Sequence, residues 1–166
     1  MTRRESRESA FRIVFGMSVN KMDIDEALFL AEEAGEPQMD EFAKRLVKAV
    51  YNHTDEINGA IAPFLKEWSI DRLARTSLAI LQISYAQLFY WDDISETGSG
   101  ITDERSDSVI INEAVELSKQ YGAADDYSFV NGVLGSIVRD GAFMENEKTD
   151  GEHDGSVDSF NAQPVC

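Results

Sequence analysis

Residues 111–135 read INEAVELSKQYGAADDYSFVNGVLG, and this stretch decides the fold. Ile110, Ala114, Leu117 and Tyr121 are spaced four, three and four, which is one face of a 3.6-residue helix. Gly122 stands where such a helix needs a left-handed stop. Asp125 is placed to cap a second helix that carries Val130, Val133, Leu134 and Ile137 inward.

Upstream, residues 76–91, TSLAILQISYAQLFYW, are apolar on nearly every side. A surface helix would show a polar face, so this segment is expected as the central, buried helix. Sixteen residues without Gly or Pro favour helix over a buried strand. The first helix is expected from about Arg4 to Val19, with Phe11, Val14 and Phe15 on one stripe. A second starts near Asp25 and breaks at GEP, residues 35–37; a third covers roughly Asp40 to Tyr51. Thr54 is a candidate cap for a fourth over residues 55–62, Pro63 then bends the chain, and Ser69 can cap a short turn at Ile70. No strand alternation persists, so the fold class is all-α. The length of 166 residues fits one domain, expected over residues 1–143. Residues 92–108, rich in Gly, Ser, Thr and Asp, read as a mobile acidic loop, and 144–166 as a disordered acidic tail.

The net charge of −16 argues at face value against a nucleic-acid partner, because phosphate repels carboxylate. Its distribution along the chain weakens that objection. Residues 92–107 hold six acids and one Arg, and residues 144–166 hold six acids and one Lys, so each segment carries −5. About −6 is left for the folded remainder, whose N-terminus is locally positive through Arg3, Arg4, Arg7 and Arg12 against Glu5 and Glu8.

Chemistry is scarce. The sole cysteine is Cys166, which excludes an intrachain disulfide, and the two histidines, His53 and His153, are far apart, so no metal site is expected. No phosphate-cradling glycine loop or nucleophile elbow is present. Asp125 beside Asp126 is a carboxylate pair that capping and the helix dipole already explain. No secretory signal and no apolar run of roughly 18 residues is found, which leads to the expectation of a cytoplasmic, non-membrane protein without enzyme activity or cofactor. Three arginines interleaved with Glu5 and Glu8 are by themselves a solvated face; Phe129 is by default a core residue.

Four segments carry a family resemblance: RRESRESAFRIVF at 3–15, WSIDRLARTSLAIL at 68–81, INEAVELSKQYG at 111–122 and FVNGVL at 129–134. Together they resemble the NusB family of bacterial transcription antitermination factors over residues 3 to about 139. The resemblance implies about seven helices in two packed bundles. It implies binding of the boxA segment of ribosomal-operon RNA together with NusE, a small-subunit ribosomal protein, in an RNA polymerase elongation complex with other Nus factors. Carried over to this chain, it offers Arg3, Arg4 and Arg7 to phosphates, Phe15 and Phe129 to unpaired bases and Asp125 to a base edge.

Partner contact is implied at Ser77, Gln82 and Glu113. The family usually has an acid at the position of Ser77, Arg at that of Gln82 and Tyr–Glu at Ala86–Gln87. Two other functions stay open at this point. One is an RNA-holding accessory to an RNA cytosine methyltransferase, as a separate subunit; the other is a protein-interaction module whose RNA surface has decayed.

Overall fold

Helix α1 (Arg3–Asn20) begins at a reciprocal cap. The Thr2 hydroxyl accepts from the Glu5 backbone N–H, and the Glu5 carboxylate accepts from the Thr2 N–H at 2.6 Å. Such a box satisfies two orphan donors and is worth about 1 kcal/mol. In this computed structural model, which describes residues 2–35, 39–95 and 106–140, acidic caps start the next two helices as well. Asp23 caps α2 (Ile24–Glu33) and Asp40 caps α3 (Glu41–Asn52). The second oxygen of Asp40 accepts from the Ser6 hydroxyl at 2.6 Å, which ties the start of α3 to α1.

Helix α4 (Thr54–Ile61) does not use Thr54 as its cap. That hydroxyl donates back to the Val50 carbonyl at 2.6 Å, and His53 holds the cap position. Pro63 sits inside a 3-10 turn, Ala62–Phe64, where its missing N–H costs nothing. The turn Ile70–Arg72 follows Ser69 as expected, without a side-chain cap bond.

The apolar segment forms α5 (Arg75–Phe89), and it packs against α1, α3 and α4. Beyond it, α6 (Trp91–Ile94) is one extra turn, which brings the helices to eight among the described residues. Trp91 and Ile94 are buried, so the expected loop begins later than residue 92. It also ends earlier, because Ser106 caps α7 (Asp107–Tyr121) by accepting from the Val109 N–H. The centre of that loop, 96–105, and the tail 144–166 lie outside the described residues. A final helix, α8, covers residues 126–140.

The first three helices pack on one another, and α4, α6 and α7 gather on α5. Both groups share one core through the α1–α5 and α3–α5 contacts. Val130, Val133, Leu134 and Ile137 of α8 are buried in it, as the 3.6-residue spacing predicts. No strand occurs among the described residues, and none of their helices is long and apolar enough to cross a membrane.

The break between α7 and α8 departs from expectation in two ways. Gly122 has φ −91° and ψ 178°, extended backbone open to any residue, so it is not a left-handed stop. Glycine is needed for space: a Cβ there would lie 2.7 Å from the Ser118 carbonyl oxygen and 3.0 Å from Asp126 Oδ2. The capping bond belongs to Asp126, whose Oδ2 accepts from the Ala123 N–H at 2.8 Å. Asp125 stands in the position before the first residue of α8, as expected, but is exposed and makes no side-chain capping bond.

A pH dependence is built in at the α4–α6 corner. Tyr90 stacks on His53 with ring centroids 4.1 Å apart and donates to Glu56 at 2.8 Å. Burial first, and then this bond, push the phenol up to about 12. The folded value lies above the unfolded one of about 10, so the contribution is complete below pH 10 and is lost as pH rises toward 12. Thermal melts of Tyr90→Phe should therefore fall less between pH 9 and pH 11.5 than those of the parent. An equal fall in both would exclude Tyr90 as a source of alkaline instability.

Candidate functional site

Arg4, Glu8 and Arg12 recur every four residues and so share one stripe of α1. That stripe faces α7. Arg4 forks onto Glu113, with Nη2 at 2.9 Å from Oε1 and Nε at 3.0 Å from Oε2, and the carboxylate raises the guanidinium pKa further. Glu8 accepts from Arg12 at 3.2 Å, Gln120 at 3.0 Å and the Tyr121 hydroxyl at 2.5 Å. Burial and the bond to Glu8 raise the Tyr121 phenol. Since Arg4 meets Glu113 and Glu8 meets Gln120, α1 and α7 run parallel. A groove of about 260 Å³ lies between them, lined by Arg4 and Lys119 against Glu8, Glu113 and Glu116.

The three N-terminal arginines have different surroundings. Arg4 is the exposed one, its side chain 63% accessible. Arg3 is half-buried, with its guanidinium carbon 4.0 Å from the Phe42 ring centre, a cation–π contact. Arg7 is only 4% exposed, and its Nε donates to Gln87 Oε1 at 2.5 Å. This removes Arg7 from the expected phosphate-facing set: its charge is turned into the core against α5. Phe15 is corrected likewise. It is half-buried and packed on the core, as Phe129 is, but it is also stacked with Phe11 at 6.0 Å and lines none of the described grooves, so it is set apart from the ring expected for base stacking.

Asp125 and Phe129 lie in a different cleft, of about 360 Å³, with Trp68, Arg72, Leu73 and Ser77. From Glu113 to Tyr121 the α7 axis rises about 12 Å, and this cleft shares no lining residue with the Arg4 groove. The structure therefore brings Asp125 and Phe129 together, and Arg4 with Glu113, but it does not join the two pairs.

The three expected partner contacts also separate. Ser77 is buried in the Phe129 cleft and Glu113 is held by Arg4. Gln82, 7% exposed, donates to Asn58 Oδ1 at 2.9 Å and borders another cleft among α1, α3, α4 and α5. Trp68, 56% exposed, and Arg72 line the same cleft as Asp125 and Phe129 and were not singled out from the sequence. The signal was available: a lone tryptophan in a polar turn has little reason to be buried. Among the described residues no group of His, Cys, Asp and Glu could hold a metal ion.

A model described as the NusB family matches residues 4–139. The chain is 35% identical to the transcription antitermination protein NusB of Finegoldia magna over 143 residues, covering 84% of this chain and 95% of that protein. Its fold matches NusB of T. maritima with a TM-score of 0.67 at 27% identity, covering 84% and 92% of the two chains. It also matches a chain from a crystal structure of antitermination factors NusB and NusE with double-stranded RNA. There the TM-score is 0.68 at 25% identity, with 82% of this chain and 96% of that chain covered. The helical order, the punctuated α7–α8 pair and these matches lead to one conclusion: the chain belongs to the NusB family.

Proposed function

We propose that this protein is a transcription antitermination factor that binds RNA of the boxA type together with NusE, in the cytoplasm, as part of an RNA polymerase elongation complex with other Nus factors. The carrying observation is the match to a NusB–NusE assembly solved with RNA, which spans nearly all of the matched chain. The local geometry supports it at two places. Arg4 extends an exposed guanidinium toward solvent, and its surface ion pair with Glu113 is worth only about 0–1 kcal/mol, so a phosphate can compete for it. Phe129, Trp68 and Asp125 line a cleft in which an unpaired base could stack and be read at its edge. Arg3 completes the set at the start of α1, while Ser77 keeps a partner role at the base of that cleft.

Binding to a boxA-like single strand, with NusE present and salt varied, tests this reading. Arg4→Ala should weaken binding and flatten the salt slope by about one unit. Phe129→Ala should cost about 1–3 kcal/mol if it stacks on a base. Salt-insensitive binding, or none even with NusE, would exclude the proposal.

A further inference from the structure

A further groove, of about 540 Å³, runs between α7 and α8, with Asn112 and Lys119 on one wall and Tyr127, Ser128 and Asn131 on the other. Its charge sets it apart. The α1–α7 groove holds three carboxylates and the Phe129 cleft two. Unlike those two grooves, which also hold cations, this one is lined by no carboxylate among the described residues, in a chain of net charge −16. The Lys119 ammonium lies 5.3 Å from the centre of the Tyr127 ring, which is 41% exposed. Its nearest acid, Glu116, is 3.7 Å away and lies outside this groove. The amides of Asn112 and Asn131 and the hydroxyl of Ser128 bond to no other described side chain, so their donors and acceptors are available.

An aromatic face, an ammonium and several amides that both donate and accept form the chemistry that holds unpaired nucleotides. The ring takes a base, the cation a phosphate, and the amides take base edges or a 2′-hydroxyl. Lys119 also lines the α1–α7 groove, so the two grooves meet at that residue. We infer that the α7–α8 groove is a second site for single-stranded RNA, continuing the strand held at Arg4 past Lys119 onto Tyr127. This rests on the RNA-binding reading and extends it to a face that reading does not use.

The test uses the full chain with NusE and two strands, one of about four nucleotides and one of about twelve, so that only the longer reaches both grooves. The double variant Tyr127→Ala, Asn131→Ala, at two residues that line only this groove, should bind the long strand about tenfold or more weakly and leave the short strand unchanged. A photoreactive uridine in the long strand should crosslink to Tyr127 in the parent. Equal affinity of parent and variant for the long strand, with no crosslink, overturns the inference while leaving the RNA-binding reading intact. Loss of NusE binding with RNA binding retained assigns the groove to protein and overturns it too. No binding of either strand by the parent overturns both.

Discussion

Replacing Arg7 with alanine should destabilise the fold by about 2–4 kcal/mol while leaving the RNA affinity of the folded fraction nearly unchanged. Arg7 is 4% exposed, and its Nε is bonded to Gln87 Oε1 in the middle of α5. Truncation leaves that buried acceptor without this donor and opens a void between α1 and α5, two penalties that add. For a chain of this size the melting temperature should drop by roughly 10 °C. Arg4→Ala is the opposite case. Its exposed side chain makes a surface ion pair, so stability should change by no more than about 1 kcal/mol while RNA affinity falls. A double change, Arg7→Met with Gln87→Met, should recover part of the loss, because it removes the buried Gln87 acceptor together with its Arg7 donor. A melting temperature unchanged in Arg7→Ala, with RNA binding lost, would return Arg7 to the binding surface.

The contrast between Arg4 and Arg7 shows what the sequence could not reveal. Both sit in the same RRESR run, and helical periodicity assigns them to neighbouring faces. Which face is buried depends on Gln87, eighty residues away, and no local pattern encodes that partner. The Arg4, Glu8, Arg12 stripe was readable as a face, whereas its pairing with Glu113, Gln120 and Tyr121 needed the α1–α7 packing. The apolar framework was far more legible. Ile110, Ala114 and Leu117, and the buried set on α8, follow directly from spacing, because burial of a periodic stripe needs no particular partner.

Local punctuation fell between these cases. Asp40 at the start of α3 follows the capping rule, and Thr2 with Glu5 spells a capping box that was legible and overlooked. Thr54 failed because its hydroxyl found the Val50 carbonyl of the preceding helix, a competitor that Ser and Thr always face. The charge distribution was a fair guide to the N-terminus as a whole. Inside the α1–α7 groove, though, Arg4 and Lys119 meet three carboxylates, so the local positive end is largely neutralised by α7.

Gly122→Ala should lower stability by about 1–3 kcal/mol and weaken RNA binding without altering any contacting side chain. The added Cβ would fall 2.7 Å from the Ser118 carbonyl oxygen, a backbone atom that already accepts the Gly122 N–H at 2.8 Å. Relieving that clash means moving the turn. The turn also holds the Ala123 N–H on Asp126 Oδ2, which would itself stand 3.0 Å from the new methyl. The smaller entropy of the unfolded alanine chain returns about 0.4–1 kcal/mol, less than the overpacking costs. Because α8 begins at 126, displacement of the turn carries Asp125 and Phe129 away from Trp68 and Ser77. Tryptophan fluorescence can report this, since Trp91 is buried and Trp68 is 56% exposed, leaving Trp68 as the ring open to a soluble quencher. Quenching should rise in the variant as Phe129 retreats, in parallel with a lower melting temperature and weaker binding. An alanine variant with parental melting and quenching would mean that the turn relaxes freely, and that Gly122 does not set the position of α8.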